Sequence, residues 1–158
     1  MGAGADIAAE HGLPMVIGGG ARMPDAVARY RAAFRPSAWA ARPYVIVAAD
    51  VAVGASAQEA ALLHLPEAWA TVRSRTGGSF PPLVPAAEIA EMELSGRERA
   101  YLDEALKSRI HGTEREVAVA LGSLVETSGA DEVLVTMNTY DLDRRLDSYR
   151  RLAAVFTG

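Results

Sequence analysis

Asn138, Tyr140 and Asp141 are the residues best placed to do chemistry. They close the stretch Glu132-Val-Leu-Val-Thr-Met-Asn-Thr-Tyr-Asp141, which opens as an apolar, β-rich run and ends polar. Val133 to Thr136 reads as a strand covered on both faces, as in a parallel sheet. Leu142, Leu146, Tyr149, Ala153 and Phe156 recur at helical spacing and predict a helix directly afterwards. Strand, polar mouth and helix form the unit whose C-terminal strand end carries ligands in α/β proteins. At such an end Asn138 can donate or accept a hydrogen bond, and Tyr140 can stack or hydrogen-bond. Asp141 can pair with an arginine, but capping of the final helix is the better reading for it.

Other candidates are thinner. Asp50 is an acid inside the apolar run Tyr44 to Val53, facing either a ligand or an exposed edge. His11, His64 and His111 are far apart and read as residues of helix ends or helix surfaces, with no HExxH spacing, so no metal site is expected. Arg73 and Arg75 lie in a glycine- and proline-rich loop and could meet a phosphate, although solvated loop charges are commoner. No nucleophile-elbow, Walker or Rossmann pattern is present. The absence of cysteine excludes disulfides and thiolate chemistry. A net charge of −4 with scattered arginines gives no electrostatic case for nucleic acid. No apolar run reaches membrane-spanning length and no signal-peptide pattern opens the chain, so a soluble cytoplasmic protein is the default.

The elements that must position these residues alternate. Met1 to Gly12 reads as a helix entry with no strand feeding it, which predicts further chain upstream. Leu13 to Ile17 is a short strand emptying into Gly18-Gly19-Gly20, and Pro24-Asp25 starts a helix striped by Val27, Tyr30 and Phe34. Tyr44 to Val53 is the strongest strand. Ser56-Ala-Gln-Glu59 and Thr113-Glu-Arg-Glu116 are capping boxes, each opening a helix, the second with an apolar face of Val117, Leu121, Leu124 and Val125. Pro66 is expected to interrupt or kink the first of these helices. Residues 86 to 110 read as helix in two pieces, broken near Ser95-Gly96. About three strands, each followed by helix, predict an α/β fold with a parallel sheet and right-handed crossovers. Its two outer strands would show unpaired edges.

Several segments together resemble the luciferase-like flavin-dependent monooxygenase family, in its C-terminal part. They are Ala8-Ala-Glu-His-Gly-Leu-Pro14, Tyr30-Arg-Ala-Ala-Phe-Arg-Pro-Ser37, Arg42-Pro-Tyr-Val-Ile-Val47 and Ser56-Ala-Gln-Glu-Ala60. The tail adds His111-Gly-Thr-Glu-Arg-Glu-Val117, Gly129-Ala-Asp-Glu-Val-Leu-Val-Thr136, Tyr140-Asp141 and Leu146-Asp-Ser-Tyr-Arg-Arg-Leu-Ala153. The resemblance implies part of a (β/α)₈ TIM-type barrel, since a whole one takes roughly 250 residues. On it, residues 1–158 are a single partial domain and 57–112 a helical insertion between the last two strands. It further implies FMN, or the deazaflavin F420, acting on a small organic substrate, and a homodimer. Gly2, Ala3 and Gly4 stand where the family holds the flavin phosphate at a helix N-terminus, which an anion favours. Gly18 and Gly19 would lie at the mouth, where glycine lets backbone approach a ring. At Gly20 many relatives carry histidine, so any contact from that imidazole is lost. Asn138 and Tyr140 would meet substrate. With the first five strands absent, the chain is expected to be weakly active or inactive alone. The alternative is a non-catalytic module, a remnant or a half-barrel that pairs with another chain.

Overall fold

A computed structural model describes residues 3–20 and 22–157. In order, the elements are α1 (Ala3–Glu10), β1 (Met15–Gly18), α2 (Met23–Ala33), β2 (Val45–Val53), α3 (Ala57–Gly77) and α4 (Ala86–Ala90). They continue with α5 (Gly96–Lys107), β3 (Ile110–Gly112), α6 (Glu114–Ser128), β4 (Glu132–Thr136) and α7 (Leu142–Thr157). The result is an α/β architecture with an open sheet, as the sequence predicts. β2 is the hub, pairing with β1, β3 and β4. The chain divides into two compact units, Met1–Ala49 with Leu121–Val135, and Asp50–Ala120 with Thr136–Gly158.

In the first unit β1 runs parallel to β2, with Met15 opposite Val45 and Gly18 opposite Ala48. A tyrosine hydroxyl sets that register. Tyr30, fully buried on α2, donates to the Leu13 carbonyl (2.8 Å) and accepts from the Tyr44 amide (3.1 Å), so it grips both strands where they begin. Asp131 brackets the same point, its carboxylate taking the Val45 amide and its own amide reaching the Val45 carbonyl, both at 2.9 Å. Gly12 ends the α1 turn at φ 62°; a Cβ there would stand 2.3 Å from the Arg35 carbonyl oxygen.

Only one face of this sheet is covered. Met15, Val45 and Val47 are buried among residues of α1 and α2. On the other face Val16 is 60% and Leu134 47% exposed, and no residue of β4 is fully buried. This corrects the expectation that the β4 run is covered on both faces. A continuous apolar run marks a strand, but it cannot report whether its second cover is present.

In the second unit the end of β2 is buried (Val51, Ala52, Val53) and pairs in parallel with β3, a fourth strand that the sequence pattern missed. Three residues are too few to show alternation. Ser56 caps α3 by accepting the Glu59 amide (3.2 Å), while Glu59 reaches back to the Ala55 amide. The expected break at Pro66 is not found: α3 runs as one helix to Gly77. Trp69, Ala68 and Val72 pack with Ile89 of α4 and Leu102 of α5.

The last helix corrects a second expectation. Its sequence stripe is largely solvent-facing, with Leu142 59%, Leu146 42% and Phe156 69% exposed, while Ser148 and Leu152 are buried. The side of α7 that is buried is tied to β2, where the Val53 amide donates to the Ser148 hydroxyl at 2.8 Å. On α6, Val117 and Leu121 are buried as expected, but Val125 is 40% exposed. Among the described residues no helix is long and apolar enough to cross a membrane.

Candidate functional site

A polar cluster of the second unit gathers around Asp50 of β2 and the end of β4. Arg109, immediately before β3, has a side chain only 7% exposed. Its guanidinium donates to Glu67 of α3 (2.8 Å), lies 3.5 Å from Asp50 of β2, and bonds the Ala105 carbonyl through Nε. Each carboxylate then takes one donor from the end of β4. Thr136 gives its hydroxyl proton to Asp50 (2.6 Å), and Asn138 gives its amide to Glu67 (2.8 Å). A guanidinium in so little water needs this company, because an unpaired buried charge is expensive. The cluster fixes two exposed side chains, Thr136 and Asn138, at the strand end where α/β proteins bind ligands.

Beside it lies His64, fully buried on α3. The Ile110 carbonyl, 3.0 Å from Nε2, can only accept, so that nitrogen carries the proton. Nδ1 is then left with a lone pair and no partner. Burial holds the imidazole pKa down at about 4; the Ile110 carbonyl opposes the shift, and the neighbouring Arg109 and His111 add to it. The ring meets that of His111 edge-on, centroids 6.0 Å apart. This corrects the reading of the histidines as distant surface residues: 64 and 111 are far apart in sequence but adjacent once α3 packs on β3. Among the described residues no group of His, Cys, Asp or Glu could hold a metal.

The remaining expected residues fall in separate places. Tyr140 is 58% exposed and helps line a cavity of about 550 Å³ with Leu62, Leu63, Pro66, Ala87 and Arg144. Asn138 does not line this cavity, so the two residues two positions apart serve different surroundings. Asp141 caps α7, its carboxylate accepting the Arg144 amide at 3.1 Å. Arg73 lies on α3, paired with Glu98 (3.6 Å), and Arg75 stacks on Tyr101; the last turn of α3 extends into what the sequence marks as loop. In the first unit, Gly4 lines a cavity of about 320 Å³ with Ala5, Ala8, Met15, Val16 and Ile17. Among the described residues, and apart from chain neighbours and the backbone of Gly4's own helix, nothing lies within 4 Å of where a Cβ would stand at Gly4, Gly18 or Gly19. Gly2 lies outside the described residues. Sequence reasoning passed over Glu67 and Arg109. The signal available was Asp50 itself: an acid in an apolar strand calls for a buried base, and Arg109 directly precedes an apolar residue.

No protein-family model matches the chain. Relatives do. The chain is 29% identical over 151 residues to the luciferase-like monooxygenase of Escherichia coli strain K12, covering 92% of this chain and 44% of that protein. Bacillus subtilis YvbT is 32% identical over 160 residues, covering 96% of this chain and 46% of that protein. Among solved structures, apo-MsnO8 superposes with a TM-score of 0.82 at 28% identity, covering 97% of this chain and 47% of that one. Riboflavin lyase RcaE, solved with modified FMN and riboflavin, shares the fold at a TM-score of 0.59 and 20% identity, covering 97% of this chain and 40% of that one. The chain thus spans less than half the length of the relatives it matches.

Proposed function

The chain belongs with the luciferase-like proteins, and on that premise we propose that it serves flavin-dependent oxidoreduction as the C-terminal part of a (β/α)₈ barrel. The observation that carries this is the 29% identity to a luciferase-like monooxygenase over 151 residues. The cofactor would be FMN or F420. The start of α1 would face the phosphate: Ala3 and Gly4 are exposed there, and the first amides of a helix favour an anion. Those amides, with Gly2, would hold the flavin phosphate, and Gly18 and Gly19 offer open backbone to the ring. A reduced flavin supplies a hydride or the electrons that activate dioxygen. The protein's own part is to bind and orient a small organic substrate, for which we assign Asn138 and Tyr140. Residues 57–112 are read as the family's variable insertion.

Because the chain spans 44% to 46% of the lengths of the E. coli and B. subtilis relatives named above, the 158 residues alone should turn over weakly or not at all. The test is to purify them and measure flavin content and oxidation of reduced FMN. A yellow protein with stoichiometric FMN and steady turnover refutes weak activity, and no flavin uptake at any concentration counts against the cofactor assignment.

A second reading, a non-catalytic half-barrel that pairs with another chain, is favoured by the exposed Val16 and Leu134 on the uncovered sheet face. Sedimentation decides it. A clean, stable monomer that binds no hydrophobic dye counts against pairing, whereas a homodimer or a complex supports it.

A further inference from the structure

The polar cluster fixes more than the positions of Thr136 and Asn138: it fixes where their protons are. A carboxylate oxygen can only accept, so the 2.8 Å contact between Asn138 and Glu67 is donated by Nδ2. Both amide protons therefore sit at the end of the carboxamide turned to Glu67, and Oδ1 faces the other way. The same rule sends the single hydroxyl proton of Thr136 to Asp50 (2.6 Å), leaving only lone pairs on its outer side. Neither orientation can reverse while Arg109 holds both carboxylates in place. Two carboxylates against one guanidinium also leave the cluster with excess negative charge.

The geometry points to a hydrogen-bond-acceptor site at the end of β4, built from Thr136 Oγ1 and Asn138 Oδ1, that takes the N–H or O–H donor group of a small-molecule ligand. Glu67 and Asp50 are positioning residues for it, and Arg109 holds both. This rests on reading Asn138 as a substrate residue and adds the polarity of the contact: the ligand donates. An ether, ester or ketone presents only lone pairs to these two acceptors and binds more weakly, because it forms no hydrogen bond with them. Amides, alcohols, phenols and amines are accepted.

The experiment compares two probes that differ by one methyl group, p-cresol, which has the O–H, and 4-methylanisole, in which that donor is capped. Each is titrated into the full 158-residue chain while the backbone amides of Thr136 and Asn138 are followed by nitrogen-15 NMR. The expected result is binding of p-cresol about tenfold tighter, the worth of roughly one hydrogen bond. In the E67Q variant the new carboxamide gives its oxygen to Arg109 and its NH₂ to Asn138, which turns the Asn138 amide over; the preference then falls to about unity. Asn138→Ala, an exposed position that leaves the fold intact, should lose it as well. Equal affinity for both probes, no shift with either, or an unchanged preference in folded E67Q overturns the proposal. Flavin uptake is measured separately by absorbance. Donor preference without flavin uptake removes the cofactor reading and leaves this one standing, while flavin uptake without donor preference does the reverse.

Discussion

Acidification should unfold this protein through His64 at pH values where most carboxylates are still ionised. The imidazole is fully buried and neutral, and its folded pKa is about 4 against an ordinary 6.5. Because the folded value is depressed, the unfolded chain takes up the proton first. The stability tied to the neutral ring is fully present above pH 6.5, and it is lost as pH falls from there through 4. Each unit of difference is worth about 1.4 kcal/mol, so the loss grows to about 2 kcal/mol at pH 5 and about 3 kcal/mol at pH 4. His64→Gln isolates the effect, since a carboxamide can still reach the Ile110 carbonyl and does not titrate in this range. The assay is urea denaturation of both proteins at pH 7, 6, 5 and 4. Wild type should lose about 2 kcal/mol relative to the variant between pH 7 and 5. Parallel stability curves would refute the reasoning, and so would an imidazole resonance that titrates near 6.5 in the folded protein.

Two more outcomes are expected. Arg109→Met leaves Asp50 and Glu67 facing each other without their cation, and should cost about 3 kcal/mol in a urea titration, with most of the loss recovered when Glu67→Gln is added. Gly12→Ala forces a side chain into φ 62° and onto the Arg35 carbonyl, and should cost about 2 kcal/mol or more, read as a lower thermal midpoint with α1 amides exchanging faster.

Much of the fold was legible because its signals are local. Ser56 with Glu59 and Thr113 with Glu116 announce their helices through bonds that span three or four residues, and the apolar run 45–53 could only be a strand. The α7 stripe misled for the opposite reason. Periodicity ranks faces by side-chain chemistry, but the face turned inward carries Ser148, which accepts from the Val53 amide across 95 residues of chain, a contact that no local pattern reports. The site divided in the same way. Asn138 and Tyr140 could be placed at a strand end from their neighbours alone, and Asp141 as a cap likewise. Their partners Glu67 and Leu62 could not, since no pattern within a helix says which strand end it will meet. His64 was misjudged because burial is a property of packing, and helix α3 is amphipathic too weakly to reveal which of its residues go inside.

The span of those polar bonds has a consequence for synthesis. Thr136 joins Asp50 across 86 residues and Asn138 joins Glu67 across 71, so neither contact forms until synthesis has passed residues 136 and 138. Closing such long loops is slow compared with forming helices α3 and α5, which are complete in the chain by residue 107. Arg109 therefore emerges first and can neutralise the waiting carboxylates before either β4 donor exists. The ligand-facing pair is the last part of the cluster to be ordered, and a chain stalled before residue 136 would hold a charged knot of Asp50, Glu67 and Arg109 with nothing yet to present.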